Sequence, residues 1–223
     1  LNALGLDDAV FVGGAVVGLL LTDPAAPPPR ATDDVDVVVG ETTRAGYRRV
    51  EKRLRAAGHA QPMDGGPICR WRIAGVNVDL MPLDAQVLGF SNRWYAAMMV
   101  DAVTRELSDG RRVRIVSAPY LIATKLEAFQ DRGDGDVLFS RDLGDIVALV
   151  DGREELADEV RSAEAGVRGF IAEAFRTLLE DPAFVEALPA HLMPDAASQA
   201  RGPLVEERMR RIAYAASEGH AGG

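Results

Sequence analysis

The run Asp34-Val35-Asp36-Val37-Val38-Val39 constrains this chain more than any other stretch. Its β-branched residues favour extended backbone, and successive side chains of a strand point to opposite faces. Asp34 and Asp36 therefore share one face, with Val35, Val37 and Val39 on the other. Two carboxylates this close repel each other unless a cation lies near. Solvated edge strands also carry alternating charge, so the pair needs support from elsewhere in the chain. Upstream, Val-Phe-Val leads into Gly13-Gly14, which lets the backbone turn sharply and leaves N–H groups open to an anion. Downstream, Val-Asn-Val-Asp79-Leu-Met-Pro is a second apolar strand with a carboxylate. Counting back from Asp79, Asn77 shares its face, while Val76, Val78 and Leu80 share the other.

Between the Gly-Gly helix and the Asp-x-Asp strand, Pro27-Pro28-Pro29 excludes both helix and central strand and marks a loop. After the strand, Thr42 or Thr43 caps a helix reaching about residue 57, with Tyr47, Val50 and Leu54 on its apolar stripe. The outer face holds Arg44, Arg48, Arg49, Lys52, Arg53 and Arg55, read either as a solvated face or as a track for a phosphate backbone. The segment Ile68 to Pro82 is a hairpin turning near Ala74-Gly75, and two further strands fall at about residues 100–107 and 112–116. From Ser117 on, the periodicity is helical. Ile122, Leu126 and Phe129 form one stripe, with Leu121 and Lys125 beside it, and Leu143, Ile146, Val147 and Val150 form the next. Asp142 and Asp145 lie three apart on a common flank. The Arg-Met-Arg-Arg run at 208–211 reads as a solvated helix face. The fold class is α+β: a mixed β-sheet with backing helices over residues 1–116, followed by a C-terminal helical domain over 117–223.

The chain carries a formal charge of −9, which argues against a generally basic nucleic-acid surface without excluding a local one. Its one cysteine, Cys69, rules out an internal disulfide framework, fits a cytoplasmic protein and reads as a buried core residue. The apolar run over 9–21 is too short to span a membrane.

Three strand carboxylates beside a Gly-Gly turn suit phosphoryl chemistry. Magnesium takes oxygen ligands and is usually held by one or two carboxylates together with substrate phosphates. Two such ions can bracket the attacking and leaving oxygens of an in-line displacement. On this reading Asp34 and Asp36 hold metal, and Asp79 ligates the catalytic ion and accepts a proton from the incoming hydroxyl. Two magnesium ions are expected during turnover, with manganese as the alternative.

Gly13-Gly14, Arg30-x-Thr32-x-Asp34-x-Asp36 and Asp79 together resemble the nucleotidyltransferase fold of the DNA polymerase β superfamily. Lys125-Leu126-Glu127-Ala128 and Ser140-Arg141-Asp142-Leu143-Gly144-Asp145-Ile146 are similar to motifs of AbiEii/AbiGii-type nucleotidyltransferases, the MenT toxins among them. The resemblance spans roughly residues 9–150. It implies that Gly13 and Gly14 bind the nucleotide phosphates and that Asp34 and Asp36 bind magnesium. It also implies that Lys125 contacts the triphosphate and that Asp142 and Asp145 complete the site from the helical side. Arg30 and Thr32 read either as residues that order the loop or as nucleotide-binding ones, since a guanidinium next to Asp-x-Asp is placed to meet phosphate. Lys125 has a second reading as an ion pair tying two helices, and Asp142 as a helix-start residue. The function expected is NMP transfer from an NTP to an acceptor hydroxyl, by a toxin of a toxin–antitoxin system with a cognate antitoxin. The acceptor would be RNA such as a tRNA 3′ end, a small molecule such as an aminoglycoside, or a protein side chain. A non-catalytic module that holds nucleotide or a partner is the remaining reading.

Overall fold

A computed structural model describes residues 6–63, 65–132 and 135–214. The chain forms two compact units, one from residues 1–16 with 31–117, the other from residues 17–30 with 118–223.

In chain order, β1 (Val10–Val12) leads through a 3-10 turn (Gly14–Val16) into α1 (Val17–Leu20), and β2 (Asp34–Val39) follows the proline loop. Next come α2 (Arg44–Ala56), the hairpin of β3 (Arg70–Ile73) and β4 (Val76–Pro82), and two short helices, α3 (Ala85–Leu88) and α4 (Tyr95–Asp101). β5 (Val103–Glu106) and β6 (Arg112–Ile115) complete one sheet in the order β3-β4-β2-β1-β6-β5. The sheet is mixed. β2 runs parallel to β4 and β1 parallel to β6, while the β1–β2, β3–β4 and β5–β6 pairs are antiparallel.

The core of this unit is the Val face of β2. Val37, Val39, Val78, Leu80 and Trp71 cluster with Tyr47, Val50 and Leu54 of α2, all buried. Thr43 caps α2 by accepting from the Gly46 amide at 3.1 Å, and the Tyr47 hydroxyl donates to the Leu80 carbonyl at 2.8 Å. Helix α2 thus lies on the sheet face opposite the carboxylates, and its six basic side chains are exposed on the outside. Ala74 (φ 50°) and Gly75 (φ 84°) make the hairpin turn, which needs two left-handed residues to match strand twist.

One strand boundary differs from the sequence reading. Residues 95–101 are helical, so the strand expected from residue 100 begins at Val103. Tyr95 and Met98 are buried at a spacing of three, a helical period, whereas Val100 is 88% exposed. Alternation starts only after it.

The second unit is helical: α5 (Ala118–Arg132), α6 (Arg141–Gly152), α7 (Leu156–Ser162), α8 (Ala165–Glu180), α9 (Pro182–Ala187), α10 (Ala196–Gln199) and α11 (Gly202–Tyr214). Leu121, Ile122 and Leu126 of α5 are buried, as are Leu143, Ile146, Val147 and Val150 of α6 and Val205, Met209 and Ile212 of α11. The last carbonyls of α6 have no partner within their own helix. Arg208 reaches them, donating to Val150 O at 3.1 Å and to Asp151 O, and Arg201 donates to Asp151 O at 3.1 Å. Arg208 is therefore not part of a solvated face. It serves a helix C-terminus, where a cation is favoured. Among the described residues no helix is long and apolar enough to cross a membrane.

Candidate active site

Strand pairing sets out the first group of site residues. The parallel register of β2 and β4 places Asp36 beside Asp79 and Asp34 beside Asn77. Paired residues project to the same face, and α2 covers the other, so all three carboxylates stand on the face that α2 leaves uncovered. Asp34 and Asp36 are half-buried and Asp79 is 6% exposed. β1 brings Val12 opposite Asp36 and delivers Gly13 beside it. Gly13 has φ +73°, and a Cβ there would fall 1.9 Å from Asp36 Oδ2. Two separate constraints thus demand glycine: a left-handed backbone and a carboxylate lying where a side chain would begin. Gly14 opens the 3-10 turn that follows. The Asp34 amide donates to Thr32 Oγ1 at 3.3 Å, so Thr32 fixes the start of β2.

The sequence reading did not single out Arg70, which is central to this group. Its Nε donates to Asp79 Oδ1 at 2.8 Å and its Nη2 to Asp79 Oδ2 at 2.7 Å, a two-pronged grip. The same Nη2 reaches Asp34 Oδ2 at 2.6 Å. The hydrogen bond to Asp79 leads the causes that hold the Arg70 pKa above its ordinary value. A signal for Arg70 was present in the sequence. Counting outward from the Ala74-Gly75 turn pairs residue 70 with residue 79, the register that the hairpin adopts.

Among the described residues there is no group of three or more His, Cys, Asp or Glu that could hold a metal ion. What the strand face does offer is two half-exposed carboxylates, Asp34 and Asp36, on one side of one strand. That donor set is hard oxygen and fits an ion that completes its shell with phosphate and water. Cys69, next to Arg70, is buried, and burial followed by the Asp79 charge pushes its thiol up to about 12. It stays protonated and takes no part as a nucleophile.

A second group forms in the helical unit. Lys125 of α5 reaches Asp142 Oδ1 at 3.0 Å and Asp145 Oδ2 at 2.7 Å, both on α6. Burial lowers the Lys125 pKa, but Asp145 and Asp142 outweigh it and the net shift is upward. The amine is a fixed cation, suited to phosphate rather than to accepting a proton. The ion pair tying two helices is thus present. Ser140 caps α6, accepting from the Leu143 amide at 3.2 Å, and Asp142 lies in the first turn, where the helix dipole favours a carboxylate. It and Asp145 are 3% and 2% exposed. Arg30 forks onto Asp145, with Nε–Oδ1 at 3.0 Å and Nη2–Oδ2 at 3.1 Å. Its guanidinium is engaged by this helical carboxylate.

The chain matches the family model described as nucleotidyl transferase AbiEii toxin, type IV toxin–antitoxin system, over residues 2–217. The chain belongs to that family. A search of curated proteins gives no match. As an AbiEii nucleotidyl transferase it is an enzyme of the EC 2.7.7 type, and a toxin of a toxin–antitoxin system. The mixed sheet with many helices agrees with the α+β nucleotidyltransferase-like fold expected of the family. Nucleotidyl transferases generally work with divalent metal ions, and membership implies a nucleotide substrate.

Proposed function

We propose that this AbiEii-family enzyme transfers a nucleoside monophosphate from an NTP to a hydroxyl of RNA, with the 3′ end of tRNA as the acceptor. The observation that carries the reading is the register of β2 and β4, which sets Asp34, Asp36 and Asp79 side by side on the sheet face that α2 leaves uncovered. In the reaction the acceptor oxygen attacks the α-phosphorus, the bond from that phosphorus to the bridging oxygen breaks, and pyrophosphate leaves. Asp34 and Asp36 are the proposed holders of magnesium, with manganese able to substitute. The ion supplies positive charge against the charge developing on the phosphate. Asp79 orients the acceptor hydroxyl and takes its proton. Each of its oxygens accepts once from Arg70, and a carboxylate oxygen has a second acceptor position to offer. The amides at Gly13 and Gly14 are proposed to meet the triphosphate. In the helical unit Asp142 and Asp145 hold Lys125, and Asp145 holds Arg30, as cations proposed to serve phosphate. A cognate antitoxin, neutralising the toxin in the cell, is the proposed protein partner.

The test is transfer of label from α-labelled NTPs to total tRNA in the presence of magnesium. Label on RNA with the wild-type protein, absent with Asp36→Asn, supports the reading. Failure to label RNA with any NTP, together with unaltered host growth on expression, overturns it. The formal charge of −9 favours a second reading, in which the acceptor is a cationic small molecule such as an aminoglycoside. Salt separates the two, because RNA affinity falls steeply as ionic strength rises.

A further inference from the structure

We propose that Arg70 is an exchangeable counter-cation that holds the strand carboxylates in readiness and competes with the divalent ion for Asp34. The inference rests on the metal-dependent reading above and goes beyond it. Its starting point is the asymmetry of the grip. Arg70 makes two contacts to Asp79, whose side chain is 9% exposed, and one to Asp34, whose side chain is 36% exposed. The Asp79 contacts follow from the β3–β4 pairing and are fixed by backbone register. The Asp34 contact crosses to another strand and ends on a half-open carboxylate. Nη2 can give up Asp34 while the fork on Asp79 stays closed.

Charge points the same way. Asp34, Asp36, Asp79 and Arg70 together carry a net −2, which one divalent ion neutralises, while Arg72 on the same face donates to the Gly75 carbonyl at the hairpin turn. A guanidinium 2.6 Å from Asp34 Oδ2 repels any ion that approaches the same oxygen, and half-exposure screens that repulsion only in part. The free enzyme therefore binds a divalent ion weakly. Once a triphosphate is present, its oxygens offer the released Nη2 a new partner, and guanidinium is well shaped for phosphate. Ion and nucleotide then load together, and Arg70 acts as a positioning residue that couples them.

The probe is Mn²⁺ alone, titrated into the full chain without nucleotide and followed by electron paramagnetic resonance. Wild type should bind weakly, with one ion per chain. Arg70→Ala should bind about tenfold more tightly, the effect of removing a unit positive charge at this range. Arg70→Lys keeps the charge but cannot span both acids, so its affinity should fall between the two. Thermal unfolding is recorded alongside; if Arg70→Ala does not fold, Arg70→Lys decides the question. A role confined to structure would move the melting temperature and leave Mn²⁺ affinity where it was, which overturns the proposal. Weaker Mn²⁺ binding in both Arg70 variants overturns it too. Asp36→Asn separates this failure from a deeper one. If Asp36→Asn weakens Mn²⁺ binding while the Arg70 variants do not strengthen it, the metal site stands and the exchange does not. If no protein binds Mn²⁺, or Asp36→Asn makes no difference, the metal reading falls and the exchange falls with it.

Discussion

On the sheet, Arg70 binds two carboxylates with its own side chain 21% exposed and that of Asp34 36% exposed. In the helical unit, Lys125 binds two carboxylates with the three side chains 12%, 4% and 2% exposed. In each a single cation bridges two acids, with Arg30 adding a second cation on Asp145 in the helical unit, but the solvent is not the same. A half-open pair is screened and can trade partners with little loss. A shut pair has given up its water, and removing one member leaves the rest as uncompensated buried charge. The difference sorts the two groups. The sheet group has the exposure that the proposed exchange of partners needs, whereas the helical group, with two cations balancing two acids, is built to stay assembled.

The largest effect should come from breaking the shut group. Lys125→Ala should destabilise the protein by about 3–5 kcal/mol in urea unfolding, because Asp142 loses its ammonium partner and Asp145 keeps only Arg30. Arg70→Gln should lower stability by about 1–2 kcal/mol. Equal losses from the two variants would break the comparison.

Next in size is Asp36→Asn, which should lower transfer by at least about 10²-fold while the melting curve stays near wild type, since the change removes charge from a face where acids crowd. A large drop in melting temperature would mean that Asp36 is structural instead. Gly13→Ala should fall between the two kinds of effect. The new methyl meets Asp36 Oδ2 and the backbone has φ +73°, so about 1–3 kcal/mol of stability is lost. Because the carboxylate must move aside, transfer should fall as well. A stable, fully active Gly13→Ala enzyme would show that the close approach to Asp36 is dispensable.

How much of this could be read from the chain alone depended on sequence distance and periodicity. The shared face of Asp34 and Asp36 follows from strand alternation, and the place of Asp79 follows from the same rule on β4. Arg70 was legible too, by counting outward from the Ala74-Gly75 turn, but only if the arginine was suspected of mattering. Other contacts were out of reach. Arg30 and Asp145 are separated by 115 positions, and nothing local to either announces the other. The approach of Gly13 to Asp36 depends on the β1–β2 register, set across the proline loop by the whole sheet rather than by any turn. Residues 95–101 misled because a seven-residue helix shows scarcely two turns of periodicity before the strand begins.

Titration offers a finer cut between the groups. The folded-state pKa of Lys125 lies above its ordinary 10.5, with burial opposed and overcome by Asp145 and Asp142. A raised pKa on a cation means stability that is fully present below 10.5 and is lost as pH rises through the folded value. Wild-type stability should therefore hold across neutral pH and decline in the alkaline range, and Lys125→Met should lack that part of the decline. Identical alkaline profiles for the two proteins would mean that the buried pair contributes nothing to folding.

The smallest effect should come from α2. Its six basic side chains lie outside, on the sheet face away from the carboxylates, so they are poorly placed to lead an acceptor into the strand site. Exchanging Arg48, Arg49 and Lys52 for glutamine should change the KM for tRNA less than about threefold and leave kcat alone. That result keeps the solvated-face reading of α2. A drop in RNA affinity of tenfold or more, with a shallower salt dependence, would instead make α2 a phosphate-backbone track. Acceptor recognition would then use both faces of the sheet, with chemistry on one and grip on the other.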